Sequence, residues 1–544
     1  MRRSAVRPSR LFARLAGAEA VFVLLPLLAA GTVAPPVRAE GTVPPAQPQT
    51  RSQTQPQTQP RKAPAEGSNL ILYVVDGLSA LEFAHMGYSR SLTPTLDTLM
   101  ERGLTYTGAY AVSPWTPTSV ASLLTSLYPG AHGLRKAGAR LLTAANTLPE
   151  ILKANGYETA LFSSHPLVGR LSAFDQGFDR VEEIPGPFYP RAAQGPAETS
   201  ATLNAKVLAW LGGRTSHAPF FVLVLSEDLI EPYGVPEPHG SHFLTPQEAE
   251  WYRGIRRRLL ALRPGGLCLR TPEDLKRLGA DPKRFARAAR DIYDGAIYYV
   301  DWQVRLLREG LQARGLTEKT LFVLTSTHGE EFGERGIYGH GASLYDTAVR
   351  VPVFMEHPDI WKDAQLLRDF TDQVDLLPTL LSLLGIPIPL SVQGSERSVE
   401  PTSESRIFMN RPAFSETSPM GKLPTGRAAM VADAGRKLIL YYENPPGLSR
   451  PPMEFFRAND QEGWEQRSMA ASSPAGVAHL RNIVAGWQSR KEQLALSLDV
   501  NPAPPDPKLP EVLRALGYLQ GTEPLASPSR ASSVSTRRSG GPKP

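Results

Sequence analysis

The chain has 544 residues, of which 41% are apolar and 21% charged, a composition typical of a large globular protein with more than one domain. Its one cysteine, Cys268, excludes an intrachain disulfide and a cysteine-ligated zinc or iron–sulfur site. Residues 1–39, 40–68 and 521–544 carry charges of +5, +1 and +3 within a total of +6, which leaves −3 for residues 69–520. Residues 69–520, which we call the body, therefore have no excess of basic residues that would indicate nucleic-acid binding.

The N-terminus has the pattern of a secretory signal peptide over residues 1–39. It is basic up to Arg14, continues with an apolar run over 20–30, and offers a small-x-Ala cleavage site at 37–39. A membrane anchor is the alternative, but the run is shorter than the ~20 residues of a spanning helix and contains Pro26. We expect an exported protein, periplasmic or extracellular, that associates with a membrane only if this segment stays uncleaved.

Two segments have a composition that cannot bury a core. Residues 40–68 are rich in Pro, Gln and Thr, and residues 521–544 are rich in Ser, Pro and Arg. Both are predicted to be disordered, the first as a linker and the second as a tail. Neither is expected to carry chemistry.

The body begins with a pattern typical of a buried parallel strand. The apolar run 70–75 ends in Asp76 and Gly77, which places an acid at the carboxyl end of the strand. A helix is predicted from Thr93-Pro94, and a second from the capping box at Thr147, where Glu150 stands three residues later. In open α/β sheets ligands bind at the carboxyl ends of strands, so Asp76 is a candidate site residue.

Strands and helices then alternate along the chain. Further strands are predicted over 160–163, 220–225 and 321–325, and an amphipathic helix with apolar positions from Ile297 to Leu311 precedes the last of them. Residues 234–290 read as a helical insertion, and short strands over 428–431 and 438–442 indicate a smaller α+β subdomain over 405–520. The predicted fold is a mostly parallel sheet between helices, spanning 69–404, followed by that subdomain.

Thr116 is a candidate nucleophile. Apolar residues at Val120, Leu123, Leu124 and Leu127 predict a helix that begins near Thr118, with Thr116 just before it. Free N–H groups and the helix dipole attract anions there, so a hydroxyl in that place suits attack on a phosphate or sulfate ester. An ordinary N-cap role is the competing interpretation.

Two histidines follow the predicted strand 321–325. His328 comes directly after Thr327 at the strand's carboxyl end, and His340 lies between Gly339 and Gly341. Imidazoles beside glycines at a strand end suit contacts to a metal or to an oxyanion. A single such histidine is more often structural, and it is their combination with Asp76 and Thr116 that indicates a site.

These stretches together resemble the sulfatase family of the alkaline phosphatase superfamily over nearly all of residues 69–520. The matching runs are 69–77, 93–97, 114–133, 293–301, 328–350, 374–381 and 513–519. The resemblance implies an alkaline phosphatase-like fold, hydrolysis of an ester, and a small anionic ester as substrate. It also implies that Asp76, Thr116, His328 and Asp228 contact a divalent cation, that Thr116 is the nucleophile, and that His340 contacts the substrate or metal.

The chain departs from the family pattern at the nucleophile. Formylglycine-dependent sulfatases have Cys or Ser followed by x-Pro-Ser-Arg, whereas this chain reads Thr116-Pro117-Thr118-Ser119-Val120. Relatives that act on phosphate or phosphonate esters use Thr, which makes phosphoryl transfer the better chemical match.

The implied metal site is also reduced. Thr327 replaces the acid before His328, and Leu225 and Ile230 replace two histidines around Asp228. Glu227, Glu231 or the pair His239 and His242 could substitute as ligands, although solvated loop residues are the preferred interpretation. The cation, Ca²⁺ or Mn²⁺/Zn²⁺, is therefore expected to be weakly bound or absent.

Two functions follow from these residues. The first is a hydrolase of a sulfate, phosphate or phosphonate ester, with Thr116 forming a covalent intermediate and a divalent cation assisting. The alternative is a catalytically degenerate member that retains the fold after losing metal ligands.

Overall fold

The computed structural model describes residues 63–184, 186, 199–262, 271–397, 399, 411–417, 426–445, 448–457, 464–497 and 506–515. The predicted signal peptide, the predicted tail and Cys268 lie outside these residues, as does the predicted linker up to residue 62. At the linker's end the prediction of disorder is wrong, because Ala65 is buried and its N–H donates to the carbonyl of Leu383 at 2.8 Å.

The strands of the described residues are, in chain order, β1 (Asn69–Val75), β2 (Leu104–Tyr110), β3 (Glu158–Ser163), β4 (Arg180–Glu183), β5 (Phe220–Ser226), β6 (Thr320–Ser326), β7 (Glu331–Phe332), β8 (Tyr338–Gly339), β9 (Val353–Glu356), β10 (Gln365–Asp372), β11 (Ala413–Glu416), β12 (Arg427–Asp433), β13 (Arg436–Glu443) and β14 (Met453–Arg457). They form an eight-stranded sheet, a four-stranded sheet and the small hairpin β7–β8.

The helices are α1 (Pro94–Met100), α2 (Thr116–Thr125), α3 (Pro129–His132), α4 (Leu148–Ala154), α5 (Thr199–Gly213), α6 (Pro246–Leu262), α7 (Pro272–Arg277), α8 (Pro282–Gln312), α9 (Asp346–Val349), α10 (Leu376–Leu383), α11 (Pro474–Ser497) and α12 (Leu509–Ala515). The capping box predicted at Thr147 is confirmed, since its hydroxyl accepts from Glu150 N–H while Glu150 accepts from Thr147 N–H. Among the described residues, no helix has the length and apolar character that a membrane span requires.

The large sheet has the strand order β10-β2-β9-β6-β1-β5-β3-β4. Neighbouring strands run parallel, except that β9 is antiparallel to both β2 and β6. Side chains of β1 alternate between two buried apolar clusters, with Leu70, Leu72 and Val74 in one and Ile71, Tyr73 and Val75 in the other. A strand buried on both faces reads as a continuous apolar run, which confirms the predicted α/β fold with a mostly parallel sheet.

The register of the central strands fixes which residues share the carboxyl edge of the sheet. Val75 of β1 is level with Ser226 of β5 and with Ser326 of β6. The residues that directly follow these three strands are Asp76, Glu227 and Thr327. They therefore leave the sheet side by side, at the edge where open α/β folds bind ligands.

The four-stranded sheet is antiparallel, with the order β11-β12-β13-β14. One face packs on α11 through a cluster that includes Val431, Leu438 and Trp487. The opposite face packs on the body around α9 through a cluster that includes Met430 and Ile439. Successive side chains of β12 enter these two clusters alternately, which explains the period-two pattern of its sequence. Both β12 and β13 extend beyond the predicted spans of 428–431 and 438–442.

Candidate functional site

Asp76 lies at the centre of the candidate site and is fully buried after β1. The hydroxyl of Thr116 lies 2.9 Å from its Oδ1 and 3.0 Å from its Oδ2, within hydrogen-bond distance of both. The hydroxyl of Thr327 also donates to Oδ1, and His328 Nε2 stands 3.3 Å from the same atom. The structure thus brings together three of the predicted site residues, Asp76, Thr116 and His328, and adds Thr327.

Helix α2 presents Thr116 to Asp76. The helix begins at Thr116 itself, with Trp115 as N-cap, so the prediction that Thr116 precedes a helix starting near Thr118 is wrong by two residues. Pro117 fits the second helical position because its missing N–H has no intrahelical acceptor there. The first intrahelical bond runs from Ser119 N–H to Trp115 O at 3.1 Å, which leaves the N–H groups of the first turn without intrahelical acceptors.

His328 faces Thr116 and Asp76 through an unprotonated nitrogen. Its Nδ1 lies 2.9 Å from Gly329 O, and only an N–H can pair with a carbonyl, so Nδ1 carries the proton. Burial and the neighbouring His340 lower the pKa of His328 to about 3, which keeps the ring neutral. The Nε2 lone pair therefore points at the Thr116 hydroxyl, 3.2 Å away, and at the Asp76 carboxylate.

His340 is stacked on His328, with ring centroids 4.2 Å apart and planes 28° from parallel. Its Nδ1 lies 3.3 Å from Glu330 Oε2, and burial raises the pKa of that carboxyl. The hairpin of β7 and β8 brings Glu330 and His340 together by pairing Glu331 with Gly339. Glu330 was not among the predicted site residues, although its place directly after His328-Gly329 marks it as part of the same loop.

Two further residues of the site were missed as such by the sequence analysis, His165 and Glu227. Ser163 of β3 is level with Leu225 of β5, and His165 and Glu227 each lie two residues beyond that pair, where the chain leaves the sheet. Burial, together with the charge of Asp76, raises the pKa of Glu227 well above its usual range. Burial, with a smaller contribution from His340, lowers the pKa of His165 to about 3.

The structure does not bring Asp228 to this group, which corrects its assignment as a metal ligand. Its two carboxylate oxygens accept hydrogen bonds from the backbone N–H groups of Thr199 and Ser200, each at 2.9 Å. Asp228 therefore caps the first residues of α5, where the helix dipole favours a negative charge.

The interpretation of the neighbouring polar residues as solvated loop groups is only partly right. Glu227 is fully buried, and Glu231 is buried and paired with Arg256 at 3.2 Å. The rings of His239 and His242 stack on Trp302 and Tyr298 of α8. Their aromatic packing gives these two histidines a structural role instead of a place beside Asp76.

The residues present fit a divalent cation. Asp76, Glu227 and His165 each offer one ligand atom, and these three atoms lie within 4.8 Å of one another. On the other side of Asp76, the Nε2 lone pair of His328 faces a carboxylate at 3.3 Å, an arrangement of two acceptors that a cation would satisfy.

The chain resembles known proteins in both sequence and structure. The sequence profile of the sulfatase family matches residues 68–386. The ulvan-active sulfatase of Formosa agariphila is 26% identical over 61% of this chain and 64% of its own length. Mouse steryl-sulfatase is 26% identical over 59% of this chain and 62% of its own length. The matches thus span less than two thirds of these curated relatives.

A phosphonate monoester hydrolase of Agrobacterium radiobacter has the same fold. Its crystal structure superimposes with a TM-score of 0.60 at 19% identity, covering 78% of this chain and 96% of the hydrolase. The profile match covers more than half of the residues, and the chain belongs to the sulfatase family.

Proposed function

We propose that the chain hydrolyses a sulfate, phosphate or phosphonate ester of a small molecule or glycan, with Thr116 as nucleophile. The observation that supports this most directly is the Thr116 hydroxyl, held within 2.9–3.2 Å of Asp76 and His328 at the start of α2. The sulfatases and the phosphonate monoester hydrolase among the similar proteins support the choice of ester.

In the proposed reaction, Thr116 Oγ attacks the sulfur or phosphorus atom and the bond from that atom to the leaving oxygen breaks. The hydroxyl proton passes to an acceptor that it already faces, Asp76 or the free Nε2 of His328. His340, beside His328 and held by Glu330, is placed to protonate the leaving oxygen. Water then attacks the sulfur or phosphorus atom of the Thr116 ester and gives a proton to His340. The bond to Thr116 Oγ breaks, Oγ regains its proton from Asp76 or His328, and sulfate, phosphate or phosphonate is released.

A divalent cation at Asp76 would supply charge neutralisation for the ester oxygens and lower the pKa of the attacking hydroxyl. The backbone N–H groups in the first turn of α2 would add to the binding of the anion. Among this chain's own residues, Asp76 and His328 orient the hydroxyl, and Thr327 holds the Asp76 carboxylate in place.

The test compares Thr116→Ala with Thr118→Ala in the full-length protein supplied with Zn²⁺, Mn²⁺ or Ca²⁺. Thr118 is a matched control, because it is buried one residue beyond Pro117 but donates its hydroxyl to Leu134 O at 2.9 Å. Turnover of 4-nitrophenyl sulfate, 4-nitrophenyl phosphate and an aryl phosphonate is measured. We expect Thr116→Ala to lose on the order of a thousandfold or more, and Thr118→Ala to stay within a few-fold.

Mass spectrometry of acid-quenched wild-type protein locates the intermediate. A sulfuryl or phosphoryl group on the peptide that contains Thr116 supports the proposal. Full activity of Thr116→Ala would place the nucleophile elsewhere. Wild-type protein that hydrolyses none of the three esters with any of the cations would favour the catalytically degenerate alternative.

A further inference from the structure

Three adjacent strands each deliver one potential ligand to the same point. Asp76 follows β1 directly, Glu227 follows β5 directly, and His165 lies two residues beyond the end of β3. All three residues are buried, and one ligand atom from each lies within 4.8 Å of the other two. The strands β1, β5 and β3 are consecutive in the sheet, so this juxtaposition is built into the register.

Glu227 gives a second, independent indication of a ligand. Its side chain is fully buried, and neither carboxyl oxygen has a partner with hydrogen-bond geometry, because the hydroxyl of the adjacent Ser164 donates to Leu225 O at 3.2 Å. Within the part of the chain that the structure describes, none of the ion pairs includes it. A buried carboxylate without hydrogen bonds or an ion pair lowers the stability of the folded state unless it binds a metal.

The acidic side chains at the carboxyl edge of the sheet also favour a cation on the β5 side of Asp76. On the β6 side of Asp76 stands the neutral hydroxyl of Thr327, whereas on the β5 side stands the carboxylate of Glu227. A cation that needs two carboxylates therefore finds the second one on the side away from Thr327.

We infer that the cation of this chain is bound by Asp76, Glu227 and His165, between β1, β5 and β3. This inference rests on the proposed function, because the same cation assists the Thr116 reaction. The ligand set differs from Asp76, Thr116, His328 and Asp228, the set that the family resemblance implies. Thr116 remains adjacent to the cation through Asp76, which it contacts at 2.9 Å.

The donor set selects the class of cation. Leu167 N–H donates to His165 Nδ1 at 3.0 Å, so the nitrogen left for a cation is Nε2, and binding requires the ring proton to move to Nδ1 and the Leu167 contact to open. One imidazole nitrogen and two carboxylate oxygens are then suited to Zn²⁺ or a similar first-row ion, whereas Ca²⁺ prefers six to eight oxygen ligands. Three protein ligands would leave a coordination position for an ester oxygen or water, as in catalytic zinc sites. We therefore expect Zn²⁺ and Mn²⁺ to bind more tightly than Ca²⁺.

The neighbouring acids Glu227 and Asp228 have different roles, so a comparison of their variants tests the inference. Full-length protein stripped with EDTA is melted alone and with added Zn²⁺, Mn²⁺ or Ca²⁺, and binding is measured by titration calorimetry. Glu227→Gln should keep or raise the metal-free melting temperature, since it removes a buried carboxylate without partners, and should weaken Zn²⁺ binding at least about tenfold. Asp228→Asn should lower the metal-free melting temperature, because Asp228 caps α5, and should retain the full Zn²⁺-induced shift.

A second pair of variants separates the two ligand sets. We expect His165→Gln to weaken Zn²⁺ binding about tenfold or more and His328→Gln to change it less. Loss of binding in His328→Gln with retention in His165→Gln, or Zn²⁺ affinity unchanged in Glu227→Gln, would overturn the inference. A Ca²⁺-induced shift larger than that of Zn²⁺ would overturn it as well.

These readouts need no substrate. Wild-type protein that binds Zn²⁺ through Glu227 and His165 but hydrolyses no ester would refute the proposed function and still support the cation site. Protein that hydrolyses esters in excess EDTA, without any bound cation, would refute a cation site that assists the reaction and would still be compatible with Thr116 as nucleophile.

Discussion

Thr327 occupies a position where charge decides how the site responds to a cation. Its hydroxyl donates to Asp76 Oδ1, and both residues are fully buried at the ends of neighbouring strands. A hydroxyl stabilises the Asp76 carboxylate by one hydrogen bond, whereas a carboxylate in its place would repel it. The identity of this one side chain therefore sets the balance between metal-free stability and affinity for a cation.

We predict that Thr327→Asp lowers the metal-free stability by about 3 kcal/mol, because it adds a buried carboxylate beside Asp76 without a counter-charge. The same change would pair Asp76 with a carboxylate on the β6 side as well, and this second pair of acids should enlarge the rise in melting temperature on addition of Zn²⁺ or Mn²⁺. Melting curves with and without each cation measure both effects. Thr327→Asn is the neutral control, and a cation-induced shift equal in Thr327→Asp and Thr327→Asn would contradict the prediction.

At the residue scale, the sequence predicts the part of the site that follows directly from strand ends. Asp76, Thr116 and His328 could be placed because each adjoins an apolar run or a helix start. His165 and Glu227 could not, since their proximity depends on the register between β3 and β5. Nothing local in the sequence indicates that Glu227 is buried, and a polar loop is the ordinary interpretation of its surroundings.

At the scale of elements, the four-stranded sheet is joined to the body by a buried group of charges. Lys437 of β13 is fully buried, and its Nζ lies 2.6 Å from Asp346 of α9 and 2.6 Å from Glu465. Glu465 also accepts a hydrogen bond from the N–H of Asp346 at 2.6 Å. Removing the lysine would leave two carboxylates close together in an apolar surrounding.

We predict that Lys437→Met lowers the free energy of unfolding by about 3–5 kcal/mol, the usual effect of removing one partner of a buried ion pair. Urea unfolding followed by circular dichroism measures the change. Lys362→Met is the matched control, because Lys362 pairs with Asp359 at 3.8 Å while both side chains are exposed, and it should cost less than about 1 kcal/mol. Equal losses in the two variants would show that the buried group does not join the sheet to the body.

The elements differ in how far the sequence reveals them. The strands β1, β5 and β6 were predicted because continuous apolar runs are typical of strands buried on both faces. The antiparallel strand β9 was not, since its four residues Val353–Glu356 are too few for a periodic pattern. The start of α2 was misplaced because Pro117 is compatible with both the first turn of a helix and the loop before it.

At the scale of the whole molecule, buried titratable groups make stability depend on pH in two opposite ways. Burial lowers the pKa of His132 to about 3 and that of His85 to about 4, so these histidines favour the folded state as the pH rises toward 6.5. Burial raises the pKa of Glu331 to about 8, and burial with the charge of Asp375 raises that of Asp372 to about 7. These carboxyls stay protonated when folded and ionise near pH 4 when unfolded, so rising pH favours unfolding.

We predict that the metal-free melting temperature falls between about pH 6.5 and pH 8, where the unfolded histidines are already neutral and the buried carboxyls dominate. Each such carboxyl lowers the free energy of unfolding by up to about 1.4 kcal/mol per pH unit. Glu331→Gln should flatten this decline, and Glu318→Gln, which changes an exposed carboxylate, should leave it unchanged. Melting curves in EDTA across this range provide the measurement, and parallel slopes in wild type and Glu331→Gln would refute it.

The register of the central sheet also governs the order in which the molecule can be completed during synthesis. Asn69 of β1 contacts Phe220 and Thr320, which stand 151 and 251 residues further along the chain. Closing contacts over such sequence separations is slow, and β1 cannot acquire both of its neighbours until β6 has emerged from the ribosome. The three proposed ligands, Asp76, His165 and Glu227, come together only in that assembled sheet. Loading of the proposed cation would therefore be a late event, and a bound cation would mark chains whose folding has finished.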